Sequence, residues 1–367
     1  MVKKPKIAVI GLKGLPAFGG AAAVGENIIE QLKDKYDFTV LSVSSHAIKS
    51  AVNVNGIKQI VFNKIGSGSI NTLVYYIKCL IHVLFNKYDL IHLHHSESGF
   101  ITPILRLKYK VIVTFHGVYR VNDPKFSELH NWFFRFSEKL NALFANQVIS
   151  VSLPDKEYIV EKYKKDVDYI PNGITINDNL KEIINSKKID NYIFFAAGRI
   201  YEIKGLHLLL KACIQLDIKD PIYIAGDLDQ VPVYKEKILE LAKSLNAKFL
   251  GLIKDKYELM RFVSNSKFFV FPSLTEAMSM MLLEVVSMKT PVIASDIPSN
   301  KAVFSEEEML FFKTSDSYDL MLKLQFALNH PEKMDNNANN AYNKLSVNYT
   351  WDIIANQYKN QFQKLIK

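Results

Sequence analysis

Cysteine is nearly missing from this chain of 367 residues: Cys79 and Cys213 lie far apart and offer neither a disulfide framework nor paired metal spacing. A reducing compartment suits such usage, and a cytoplasmic location is expected. No run of about 20 apolar residues is present to span a bilayer. The most apolar stretch, TLVYYIKCLIHVLF, is cut by Lys78 and His82 and predicts a buried helix. The opening MVKKPKIAVIGLKG has an apolar run too short for a secretion signal, with Lys13 close behind, so it predicts a first strand. There is no internal repeat, and bias is confined to MDNNANNAYN. Helix-turn-helix, zinc-finger and aromatic RNA-binding signatures are absent, which argues against a nucleic-acid partner.

What is present is ordinary globular composition, 49% apolar and 23% charged, at a length that suits two domains. Short runs rich in Val, Ile and Phe recur between amphipathic stretches, as βαβ units require. KIAVIGL, FTVLSVS, KQIVFN, DLIHLHH, KVIVTFH, QVISVS and DYIPNG fill the first half; YIFFAAGR, IYIAGD, AKFLG, FFVFPS, PVIASD and EMLFFK fill the second. Because they are apolar throughout, they predict parallel sheets covered on both faces, hence two doubly wound α/β domains. The polar stretch around Pro171 and Gly173 places the boundary, giving domains 1–172 and 173–349. At the end, Trp351, Ile354, Tyr358, Phe362 and Ile366 recur at helical spacing, and that stripe must dock on something. Substrate is expected where loops at the carboxyl ends of the two sheets meet.

The formal net charge of +9 is uneven. Residues 1–175 hold 22 Lys and Arg against 14 Asp and Glu, whereas residues 176–367 hold 24 against 23. With aromatic and basic stretches such as HNWFFRFSEKL, the first half suggests peripheral, salt-sensitive contact with an anionic membrane.

Four segments carry candidate chemistry. GLKGLPAFGGAAAVGENI follows the first strand, and its glycines, Gly19 and Gly20 among them, let backbone N–H groups approach a phosphate at a helix start. Its spacing is not that of a dinucleotide fingerprint, and no acid ends the second strand to take a ribose, so NAD is not expected. AAGRIYEIKG sets Arg199 and Lys204 just past a strand, where two cations suit a diphosphate whose charge grows as it leaves.

FPSLTEAMSMMLLE holds Glu276 and Glu284. As one helix, at about 100° per residue, they stand roughly 80° apart. Alternatively a loop carries Glu276, Ser279 caps a helix that bears Glu284, and the N–H groups of Met280 and Met281 face an anion. VIVTFHGV ends on His116, which can donate to a hydroxyl or assist a proton, although a satisfied core histidine is commoner. Among the nearby histidines, strand alternation places His92 and His94 on one face and His95 on the other, without partners at zinc spacing. Asp227-Leu228-Asp229 resembles a metal-holding pair but reads as a loop with two acids.

Together these segments resemble the retaining glycosyltransferases of family 4, with their GT-B fold of two Rossmann-like domains facing across a cleft. The match runs over nearly the whole chain and is densest from 192 to 300. The resemblance implies transfer of a sugar from a nucleotide diphosphate sugar, UDP foremost, to a glycan or lipid-linked acceptor in bacterial surface polysaccharide synthesis, without metal or other cofactor. It implies that Glu276 meets the donor sugar, Glu284 the ribose, and Arg199 and Lys204 the departing diphosphate. Ser279, Met280 and Met281 would offer main-chain donors, Gly19 and Gly20 would line the opposite wall, and His116 would reach sugar or acceptor. The first domain becomes the acceptor side and the second the donor side, with a terminal helix, 350–367, crossing back to the first. Two positions depart from the family pattern: Thr175 follows Pro-Asn-Gly-Ile, and Lys289 replaces a glycine, predicting a turn without positive φ. A nucleotide-sugar epimerase on the same architecture, or a non-catalytic nucleotide-sugar-binding subunit, are the competing functions.

Overall fold

Apolar runs become strands in both halves of the computed structural model, which describes residues 3–17, 20–47, 53–118, 127–176, 178–186 and 190–366. The chain divides into a first unit, Met1–Gly173 with Trp351–Lys367, and a second unit, Ile174–Thr350.

In chain order the first unit contributes β1 (Lys6–Lys13), α1 (Gly20–Leu32), β2 (Asp37–Val43), β3 (Asn53–Val54), β4 (Ile57–Phe62), α2 (Gly68–Phe85), β5 (Leu90–His94), α3 (Thr102–Arg106), β6 (Val111–Phe115), α4 (Glu128–Phe144), β7 (Gln147–Ser150), α5 (Leu153–Tyr163) and β8 (Asp168–Tyr169). Its sheet runs β3-β4-β2-β1-β5-β6-β7-β8. All neighbours pair in parallel except β3 and β4, an antiparallel edge that the apolar runs did not announce.

The second unit contributes α6 (Asp178–Asn185), β9 (Ile193–Arg199), α7 (Leu206–Gln215), β10 (Ile222–Asp227), α8 (Pro232–Ala242), β11 (Ala247–Gly251), α9 (Lys256–Asn265), β12 (Phe268–Phe271), α10 (Met280–Ser287), β13 (Val292–Ser295), α11 (Pro298–Lys301), β14 (Leu310–Phe312), α12 (Ser317–Asn329) and α13 (Pro331–Asn348). Its sheet, β11-β10-β9-β12-β13-β14, is wholly parallel.

Both are doubly wound sheets with helices on each face. Phe194 and Phe269 pack into one core of the second unit, while their neighbours Ile193, Phe268 and Val270 pack into the other. That two-sided burial is why the strands read as unbroken apolar runs. The strand order reverses direction between β1 and β5 in the first unit and between β9 and β12 in the second. Such switch points leave a crevice at the strands' carboxyl ends.

The last helix, α14 (Trp351–Leu365), belongs to the first unit and packs on α1. Trp351, Ile354, Tyr358 and Phe362 are buried, with the Phe362 ring edge-on to Tyr36 at 5.6 Å.

Two expectations are corrected. The helix read from TLVYYIKCLIHVLF is buried on one face only: in α2, Tyr75, Tyr76, Cys79 and Val83 face the sheet, but Ile70, Leu73, Ile77, Ile81 and Phe85 are exposed. An 18-residue helix on one sheet face has no second layer to cover its outward stripe. Lys289 does adopt positive φ, +53°, because the turn closing α10 needs a left-handed residue whichever side chain is present. Its ammonium lies 4.6 Å from the centre of the Tyr342 ring.

Candidate functional site

The second unit gathers charge at its switch point. β9 ends on Arg199, and a 3-10 turn, Glu202–Lys204, follows before α7. Gly205 caps that turn with φ +71°, and its bare Cα lets the backbone pass against the Pro272 carbonyl, from which a Cβ would stand only 1.9 Å. The loop after β12 is thereby laid on the turn after β9, and Leu274 N donates to Ile203 O at 2.8 Å. Ser295 Oγ fixes the same loop from β13 by donating to Ser273 O at 2.6 Å. The consequence is an ion pair between two predicted site residues, Lys204 Nζ donating to Glu276 Oε1 at 2.6 Å. Both side chains are mostly covered, 23% and 15% exposed, so the pair forms in a medium where charge interactions carry further than in open water.

The segment FPSLTEAMSMMLLE resolves as strand, loop and helix rather than one helix. Ser279 is the N-cap of α10, its hydroxyl accepting from Leu282 N at 3.4 Å. The N–H groups of Met280 and Met281 open the first turn, where a helix offers no carbonyl to receive them. Leu282 and Leu283 are buried, while Glu284 in the second turn holds Lys256 of α9 at 3.0 Å. Arg199 lies opposite Asp227 on β10. The Asp227 carboxyl is held below its usual range by the Asp229 N–H and the Gln230 amide, with Arg199 adding a smaller pull. Asp229 itself pairs with Lys235, so the Asp-Leu-Asp loop satisfies its own acids.

In the first unit, Gly11, φ +111°, lets β1 pass close to β5, where a Cβ would meet His94 O at 2.3 Å. The turn beyond is pinned by buried Gln59, whose Oε1 accepts from Leu15 N at 2.7 Å, and by Glu26, which accepts from Ala17 N at 2.8 Å. Gly20 starts α1 with φ +58° and open space around it, whereas Gly19 lies outside the described residues.

Past β6, His116 Nε2 meets His94 Nδ1 at 2.9 Å with the rings stacked. His92 shares Thr114 Oγ1 at 2.9 Å. Burial holds His92 down to about 3 and keeps His94, His95 and His116 below the ordinary imidazole range, so the cluster is neutral near pH 7. Strand alternation misplaced His95: its φ of +69° ends β5 and turns the ring to 5.4 Å from that of His116. Among the described residues, no group of three or more His, Cys, Asp or Glu is arranged to hold a metal ion.

Residues 18–178 match the family model described as Glycosyltransferase Family 4, and residues 177–344 match Glycosyl transferases group 1. Together the two matches run from residue 18 to residue 344. It is 27% identical over 207 residues to the O-antigen chain mannosyltransferase RfbU of Salmonella typhimurium, covering 56% of this chain and 55% of that one. It is 26% identical over 242 residues to the UDP-Gal:alpha-D-GlcNAc-diphosphoundecaprenol alpha-1,3-galactosyltransferase of Escherichia coli, covering 60% and 61%. The match therefore spans little more than half the length of these curated relatives. Among solved structures, sucrose-phosphate synthase from Thermosynechococcus elongatus superposes with a TM-score of 0.82 over 99% of each chain at 20% identity, which places the fold as GT-B.

Within the segment that matches the group 1 model, the structure brings Lys204 to Glu276 and sets Ser279, Met280, Met281 and Glu284 on the next turns of chain. Arg199 ends the adjacent strand; Gly20 and His116 belong to the first unit. Lys256 was not anticipated, and His94 was weighed only among the histidines without zinc spacing. Each holds a predicted residue, but neither follows an apolar run in a way that signals it.

Proposed function

We propose that the chain transfers a sugar from a nucleoside diphosphate sugar to a lipid-linked glycan acceptor in bacterial surface polysaccharide assembly, with retention of anomeric configuration. The observation that carries this reading is the Lys204–Glu276 pair at the switch point of the second unit, followed at once by the capped start of α10. Breaking the anomeric C–O bond builds positive charge on the sugar and negative charge on the diphosphate. Fixed cations and oriented N–H dipoles there lower that barrier more than any other placement.

In this reading Arg199 and Lys204 meet the diphosphate, Met280 and Met281 offer it N–H groups, Glu276 faces the sugar, and Glu284 takes the ribose hydroxyls. The acceptor oxygen bonds to the anomeric carbon as the bond to the diphosphate breaks, on the face that group leaves. The hydroxyl proton passes to the departing phosphate oxygen.

The first unit serves the acceptor. A groove of about 510 Å3 opens there between the starts of α2 and α4, with Lys13, Lys64 and His46 beside Tyr76, Phe100 and Phe133. Lys13, His46, Lys64 and Glu97 all lie at or just beyond strand carboxyl ends. Cations over an aromatic floor fit a phosphorylated, partly apolar acceptor. The names of the two curated relatives, one an O-antigen transferase and one acting on a diphosphoundecaprenol sugar, support this choice.

The test is to present UDP-, GDP- and dTDP-sugars to the purified protein and follow protection from thermal unfolding and slow donor hydrolysis. One nucleotide should protect, and Glu276→Ala and Arg199→Ala should lose turnover. No protection by any of the three, with both variants matching the parent in whatever activity is found, refutes the assignment. Isomerised sugar without acceptor would mark an epimerase, and binding without turnover a sensor subunit.

A further inference from the structure

The first unit has one helical face whose outward side is apolar. On α2, Ile70, Leu73, Ile77, Ile81 and Phe85 recur every three or four residues and are 41–87% exposed, Phe85 most of all. The opposite side of the same helix is buried, so α2 is apolar on both its sheet-facing and its outward sides, a pattern that soluble surfaces do not sustain unless something covers them.

On α4, Leu129, Trp132, Phe136 and Leu143 are exposed at the same spacing, with Arg135 and Lys139 interleaved. The Trp132 and Phe136 rings stack at 5.3 Å. Between the helices, Ile104 and Leu107 are also exposed. All three elements lie on one side of the sheet: Tyr76 of α2 touches Phe100 at 5.9 Å, and Phe100 touches Phe133 of α4 at 5.7 Å. At the other end, Arg106 Nε donates to Phe144 O at 2.8 Å and Lys108 Nζ to Leu84 O at 2.6 Å.

We propose that this α2–α3–α4 face docks the protein on an anionic lipid bilayer. The composition of the face selects the occupant. Stacked Trp and Phe with Lys and Arg between them match the headgroup boundary, where an apolar body and a cationic rim are both satisfied. The unit's excess of Lys and Arg reinforces this. A second copy of the chain would cover the apolar stripe but would press one basic face against another. At about 1.5 Å per residue, α2 presents roughly 27 Å of apolar edge, enough for interfacial seating without insertion across the bilayer. The proposal rests on surface side chains alone and stands apart from the donor chemistry.

Trp132 is 54% exposed and Trp351 is buried, and the chain has no other tryptophan, so emission reports on the face directly. The full chain is mixed, without donor, with vesicles of phosphatidylcholine alone or with about one third phosphatidylglycerol, at about 0.05 M and 0.5 M salt. Flotation with the anionic vesicles at low salt, a blue shift of Trp132 emission and at least tenfold weaker binding in high salt are expected. Ile81→Ser with Trp132→Ser should weaken flotation at least tenfold while leaving the melting temperature and donor hydrolysis unchanged. Failure to float with anionic vesicles, or undiminished flotation of that variant, overturns the proposal. So does a dimer in sedimentation that the same substitutions dissolve without any vesicle binding.

Discussion

Gly205→Ala is the sharpest probe of how the second unit assembles its charged pair. Two costs should appear. An L residue at φ +71° pays about 1–2 kcal/mol for the left-handed backbone. The added Cβ would stand 1.9 Å from the Pro272 carbonyl oxygen, and to restore ordinary contact the two segments must separate by roughly 1.5 Å, an overpacking cost of about 1–3 kcal/mol. The total, about 2–5 kcal/mol, corresponds to a fall in melting temperature of roughly 5–15 °C for a unit of this size.

Gly251→Ala isolates the first cost, since Gly251 has φ +68° and nothing within 4 Å of its Cβ position. The excess loss of Gly205→Ala over Gly251→Ala in a thermal melt therefore measures the crowding. Because the displaced segment runs on through Leu274 to Glu276, donor turnover should fall with it while Gly251→Ala stays near the parent. Equal melting shifts for the two variants would refute the claim that backbone contact at Pro272 sets the geometry of the site.

Acid should unfold the first unit early. Its buried imidazoles are neutral when folded and take up protons near 6.5 when unfolded, so stability present above that pH is lost as pH falls toward the folded value, about 3 for His92. Each fully buried imidazole should forfeit about 2 kcal/mol between pH 6.5 and 5, read as a lower urea midpoint, and His92→Phe should flatten that dependence. A midpoint unchanged by acid would contradict the burial of the cluster. Both thiols are buried, with Cys213 pushed up to about 12 and Cys79 raised further, so iodoacetamide should label neither in the native protein near neutral pH and both in denaturant. Finally, Lys204→Met and Glu276→Gln should be non-additive in a double-mutant cycle for stability, with a coupling of about 1 kcal/mol. Additive losses would mean that the contact seen between them contributes nothing.

Much of the fold was legible because parallel strands are buried on both sides, which forces a composition that survives any helix arrangement. What escaped was what that rule does not touch. β3 is two residues long and lies at an edge, so no apolar run marks it, although Asn55-Gly56, with φ of +53° and +83°, is a strong hairpin turn signal. The exposed stripe of α2 escaped because an apolar helix reads the same whether protein or another phase covers its outer side; only the packing of neighbours decides.

The site divides along the same line. Residues such as Arg199, Lys204 and Glu276 follow strands directly, where a doubly wound sheet runs out of core and charge can first appear, so their positions in sequence carried the signal. The residues that orient them act from elsewhere. Lys256 reaches Glu284 from the preceding helix, and His94 meets His116 from a neighbouring strand, inside an apolar run where a histidine looks like core. Chemistry at strand ends is thus readable in order along the chain, whereas the groups that fix its geometry are readable only after strand order is known. For this protein the switch point is that piece of knowledge: once β9 and β12 are neighbours, Lys204 and Glu276, far apart in sequence, have to meet.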